Sequence, residues 1–303
     1  MTTGHRFVYP MRRTPSRRWA GVRTLLVVAA FAATAMVGNA KQESQKAQAK
    51  APQRQMLFTI FKPIMHDIGS CRVQKATVIS GPAEIKMANN KMPGKQWSVS
   101  LGQSTFKVTI EDATKLTLTN ALVYAERIPR VYLRALEVVS EGEKAGLAFY
   151  TELGGAAAHG GQTYLNMIPL KPARAASVIV HETGHILEQR ARNTDKDILD
   201  KWAEAAKADN IDVSHYGNHV NHEDVAEFAR LYAFCSDSAL GGGKLKELRE
   251  LSPARFDLWE RILKLSGATR PDRTARTPIK PNQVWQERIA ELDENIKAAS
   301  AQS

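Results

Sequence analysis

The sequence predicts an α+β fold, and three features lead there. Between residues 56 and 112, short apolar runs alternate with turn chemistry, the pattern of strands. From residue 172 onward, apolar side chains recur at helical intervals through several long segments. Between these parts, LAFYTELGGAAAHGGQTYLNMIPL (147–170) reads as two strands around a glycine-rich loop. With 303 residues, 43% of them hydrophobic, the chain can bury one sizeable core and a smaller second one.

The chain opens with a leader. Six arginines (Arg6, Arg12, Arg13, Arg17, Arg18 and Arg23) and no acids precede an apolar run from Leu25 to Val37, and Gly38-Asn39-Ala40 supplies small residues for cleavage. This pattern predicts a signal peptide over 1–40 and a secreted or periplasmic protein. The run is shorter than the roughly 20 residues a membrane span needs, so no span is expected after cleavage. The formal charge of +11 points toward nucleic acid until its location is considered. Without the leader only +5 remains, and no nucleic-acid partner is expected.

Residues 41–55 are polar and Lys/Gln/Ala-rich, a flexible tether. A small N-terminal β-rich lobe is then expected over 56–112. Its strands are Ala76 to Ser80 before Gly81-Pro82, Trp97 to Leu101, and Phe106 to Ile110 with Lys107 and Thr109 facing outward. The main domain is placed at 113–267. Leu116, Leu118, Ala121, Leu122 and Ala125 fit a helix ending before Pro129, while RVYLRALEVVS (130–140) reads as extended. Strands follow at Leu147 to Thr151 and Thr163 to Pro169.

Pro172 opens a helix to about Arg192, since its fixed φ suits a first turn. Further helices are expected over 195–208, over 222–234 with Asn221 as cap and Asp224 returning the bond, and over 253–265. Residues 268–303 are linker and a loose tail helix. The two cysteines, Cys71 and Cys235, lie beyond the leader. In an oxidising compartment they predict a disulfide tying the lobe to the end of the 222–234 helix, and the other reading is two buried free thiols.

The chemistry centres on HETGH (181–185). Four residues apart on a helix, His181 and His185 share a face and can present two imidazole nitrogens to one ion, while Glu182 is rotated about 100° and can serve as general base toward a water there. A third ligand is needed. A histidine six residues after His185 is absent, because Ala191 stands there, and nothing around Asp195 supports it. NHEDVAEFARLY (221–232) places Glu223 and Glu227 four apart on one helical face. Glu223 is the expected ligand and Glu227 the carboxylate that accepts the free N–H of a ligating histidine. On spacing alone the two roles can be exchanged.

On HETGH and the later block SHYGNHVNHEDVAEFARLY (214–232), the chain resembles the gluzincin peptidases, and within them the catalytic domain of the anthrax lethal factor group. The resemblance covers roughly 115–235. It implies a zincin-like fold with an active-site helix and mixed sheet over 113–267, a Zn2+ cofactor and a peptide or protein substrate. It implies His181, His185 and Glu223 as ligands, Glu227 as support and Glu182 as base. Tyr216, seven residues before Glu223, is implied as oxyanion donor; a phenol on that glycine-containing loop can also donate to developing charge on chemical grounds. The expected activity is exported, zinc-dependent endopeptidase cleavage; the alternative is a zinc-stabilised, non-catalytic binding protein on the same scaffold.

Overall fold

The computed structural model describes residues 55–63, 75–88, 90–129, 132–141, 146–151, 157–159, 162–166, 172–236, 244–269 and 284–301. The expected leader (1–40), all but the last residue of the tether (41–55), and Cys71 lie outside the described residues.

Three strands, β1 (Ala76–Lys86), β2 (Pro93–Leu101) and β3 (Ser104–Glu111), form an antiparallel meander. After it come helices α2 (Leu118–Ala125) and α3 (Leu133–Val139), then β4 (Leu147–Tyr150), β5 (Ala157–His159) and β6 (Gln162–Asn166); a short α1 (Leu57–Ile60) precedes the meander. All six strands make one mixed sheet in the order β1-β2-β3-β4-β6-β5, with β3/β4 and β4/β6 parallel and β5/β6 antiparallel. The fold is α+β.

This topology corrects the expected lobe at 56–112. The meander is half of the common sheet, because β3 pairs with β4 through Val108, Thr109 and Ile110. The same pairing explains why 130–140 is not extended. Parallel neighbours need a crossover, and RVYLRALEVVS supplies part of it as α3, burying Leu133, Leu136, Val138 and Val139. A helix and a strand both fit that apolar spacing, and the connection decides. Thr109, expected outward, is fully buried and bonded to Gln96. β5 arises inside the glycine-rich loop, where no apolar alternation announced it.

Five further helices follow: α4 (Pro172–Thr194), α5 (Ile198–Asp209), α6 (Asn221–Cys235), α7 (Lys244–Leu251) and α8 (Pro253–Leu265); a last one, α9, spans Val284–Ala301. α4 packs on β5 and β6 and buries Ala175, Ala176, Ile179, Val180, Ile186, Leu187 and Ala191. α6 lies against α4 and is buried almost throughout from Asp224 to Cys235. α9 is not loose: Leu292 is fully buried, Asp293 accepts a hydrogen bond from Thr119, and Glu291 pairs with Lys75. Among the described residues, no helix is long and apolar enough to cross a membrane.

Asn221 does not cap α6. It is the first helical residue, Val220 holds the cap position without a side-chain bond, and Asp224 points inward to a buried cluster. There Asp224 Oδ2 accepts from Trp202 Nε1 at 2.8 Å and Arg255 Nε at 2.9 Å, while Arg255 Nη1 donates to the Ile211 carbonyl at 2.9 Å. Asp209, at the end of α5, accepts from the backbone N–H groups of Ala254 and Arg255 and so caps α8 from another helix. This cluster fixes where α6 begins, and therefore where Glu223 stands.

Cys235 is a buried free thiol, and Cys71, its partner in the expected bridge, lies outside the described residues. Burial, with Glu247 nearby, pushes the Cys235 thiol up to about 12, so it remains a protonated, small apolar packing group.

Candidate metal centre

The site forms where α4 and α6 cross. HETGH lies in the middle of α4, and Glu223 stands in the first turn of α6. Gly184 is what allows the helices to come together. A Cβ built on it would sit 2.8 Å from Ala229 Cβ and 3.2 Å from Ala226 Cα, so this helix-weakening glycine has a packing reason. Gly184→Ala returns about 1 kcal/mol of helix propensity against an overpacking cost of about 1–3 kcal/mol. Stability changes little or falls, but α6 is pushed away with Glu223 on it. Zinc affinity is expected to fall about tenfold or more, the scale for losing support around a metal site. Calorimetric titration checks this, and adding Ala229→Gly, which removes the clashing methyl, should restore part of the loss.

Three potential donor atoms converge here. His181 Nε2 and His185 Nε2 are 3.2 Å apart; Glu223 Oε2 lies 3.2 Å from the first and 3.4 Å from the second. Donors bound at about 2.0–2.1 Å in a tetrahedron are separated by about 3.3 Å, so this triangle has the dimensions of one face of a tetrahedral site. Glu223 Oε2 is buried without a well-aligned hydrogen bond, an arrangement that a cation would satisfy. Two imidazole nitrogens and one carboxylate are also a donor set suited to zinc. The residues present fit that metal, and the structure brings together the three ligands expected from sequence.

Glu227 is deeper, 3% exposed, and its Oε1 lies 2.8 Å from His181 Nδ1. Glu223 faces both Nε2 atoms, while Glu227 holds the far side of the His181 ring. The electrostatics follow from this sandwich. Burial opposes a proton on His181, but hydrogen bonds donated to the Glu223 and Glu227 carboxylates outweigh it and raise its pKa to about 9. Burial likewise favours a protonated Glu223, yet His181 and His185 hold its carboxyl far below the usual range. Glu227 is also held low, by His181 and Arg230 against burial.

Glu182 is 6% exposed; burial raises its pKa, and the nearby His181 and His185 draw it back in part. Tyr216 is 64% exposed at the rim, its ring centroid 6.0 Å from that of His181. Partial desolvation, then the nearby Glu223 carboxylate, raises its pKa, which keeps the phenol a donor. Gly217 lets this loop lie against α6, since a Cβ there would meet Asp224 Cα at 3.0 Å. Asp195, set aside as a ligand, is engaged by Lys201 and Arg261 instead.

His222, one of the three histidines that crowd this stretch of the sequence, lies with Nε2 3.5 Å from Glu223 Oε1 and its ring 5.6 Å from that of His185. Two further neighbours have no signal of their own in the sequence. Arg230 and Ser177 meet behind Glu227. Arg230 is three residues after Glu227 and Ser177 four before His181, both on the site's helical faces, but neither is a ligand type and neither drew notice. No protein-family model matches this chain, and no curated protein matches it.

Proposed function

We propose that the protein is a zinc-dependent peptidase with a zincin-like catalytic frame, hydrolysing peptide bonds with His181, His185 and Glu223 as metal ligands. The observation that carries this reading is the triangle of His181 Nε2, His185 Nε2 and Glu223 Oε2, with edges of 3.2 to 3.4 Å, next to an acid that is no part of it. A purely structural metal site has no use for Glu182.

Bound there, zinc supplies Lewis acidity, which brings water ionisation toward neutral pH and polarises a carbonyl. Glu182 takes the proton from the attacking water at its carboxylate and later delivers it to the departing amine. The Tyr216 hydroxyl donates to the oxygen that gains charge as the carbonyl carbon becomes tetrahedral. Glu227 accepts the Nδ1–H of His181, which leaves Nε2 facing Glu223 and His185.

The test is cleavage of a mixed peptide library by the protein, with and without a chelator, read by mass spectrometry. Cleavage that stops with chelator and returns on adding zinc is expected. Zinc binding without any cleavage would instead favour a zinc-stabilised binding protein.

A further inference from the structure

We propose that Arg230, clamped by Ser177 and covered by Phe58, is a positioning residue of the metal centre, acting through Glu227 on His181. This rests on the metal-site reading above.

Glu227 Oε1 is shared: it accepts from His181 Nδ1 at 2.8 Å and from Arg230 Nη1 at 2.5 Å. The guanidinium gives this deeply buried carboxylate a fixed opposite charge in addition to the His181 ring. Its plane is fixed from the other side, because Nε and Nη2 both donate to Ser177 Oγ, at 3.0 and 2.8 Å. Ser177 lies one turn before His181 on α4, and Arg230 lies on α6. The clamp therefore joins the two metal-bearing helices one turn before His181, while Gly184, between the two histidines in the chain, allows their close contact.

The guanidinium is covered by Phe58, whose ring centroid is 5.0 Å from Cζ. Phe58 is held there by backbone bonds from Leu57 N–H to the Asp212 carbonyl at 2.9 Å and from Phe58 N–H to the Val213 carbonyl at 3.0 Å. The first described element thus docks on the loop leading to Tyr216 and closes the clamp. A lysine could supply the charge but not a planar fork with three N–H groups aimed at two partners.

The experiment is zinc titration of the full chain, wild type beside Arg230→Met, Arg230→Lys, Glu227→Gln and the Glu227→Gln/Arg230→Met double variant, with thermal unfolding of each metal-free protein. Arg230→Met is expected to weaken zinc binding about 10–100-fold, the range for losing a group that supports a ligand, and Arg230→Lys to recover part of it. The decisive result is coupling: in the Glu227→Gln background, Arg230→Met should add almost nothing to the loss. If the wild type binds zinc and the two losses add in full, or Arg230→Met binds zinc like the wild type, the inference is overturned while the metal site stands. A wild type that binds no zinc overturns both. Should Arg230→Met not fold, Ser177→Ala, which removes only the hydroxyl, reads the same coupling against Glu227→Gln.

Discussion

Glu182→Gln is expected to keep zinc as tightly as the wild type and to lose hydrolysis by about 10²–10⁴-fold, the contribution of a positioned general base. The amide fills the same buried space beside His181 and His185 without touching the triangle of donor atoms, so fold and metal affinity have no reason to change. It cannot accept a proton, so the attacking water must ionise unaided. Parallel zinc titration and library cleavage separate the two effects. Loss of zinc together with activity would mean that Glu182 serves the metal site structurally; undiminished cleavage would remove the proposed mechanism.

The second large effect concerns the cluster that sets the start of α6. Arg255 and Asp224 are buried at 3% and 5% exposure and share a 2.9 Å hydrogen bond, with Trp202 as a further donor to Asp224. Burial raises the Asp224 pKa against the pull of Arg255 and Trp202. Removing the cation leaves a buried carboxylate and the Ile211 carbonyl without their partner. Arg255→Met is therefore expected to destabilise the protein by about 3–5 kcal/mol, the range for breaking one side of a buried pair. Urea unfolding gives the number. Adding Asp224→Asn removes the stranded charge while keeping an acceptor for Trp202, so the double variant should be more stable than Arg255→Met alone. A further drop would show that burial of the charge is not the source of the cost.

The parts of the site legible in the sequence were those set by helical geometry. His181 and His185 meet because four residues make about one turn, and the same rule put Glu223 and Glu227 on one face of α6. What spacing could not give was the meeting of the helices: Gly184 stood out as a poor helix former, but only the fold shows Ala226 and Ala229 opposite it. Ser177 and Arg230 were invisible for a related reason, since a serine and an arginine gain their role only from the neighbour across the interface. In the fold, apolar periodicity gave the right class for β1 to β4, β6, α2, α4, α5, α6 and α8, while α7 (Lys244–Leu251) was not expected. The reading failed where connection outweighed pattern, at α3 and at the supposed lobe, because pairing between β3 and β4 is a long-range event with no local signature. Asn221 failed as a cap because the helix begins one residue earlier and Asp224 is drawn inward by Arg255 and Trp202.

Calorimetric titration of zinc into wild type and Glu223→Ala at several pH values reads out whether His181, His185 and Glu223 bind one metal ion together. The raised His181 pKa of about 9 fixes the sign of the pH effect. Below that value the metal-free ring carries a proton that must leave before Nε2 can bind, so affinity should weaken as pH falls, by about tenfold per unit for that one proton. One zinc per chain is expected in the wild type, with proton release at neutral pH, and a severe loss of affinity in Glu223→Ala. Undiminished zinc binding by Glu223→Ala would contradict the three-ligand site.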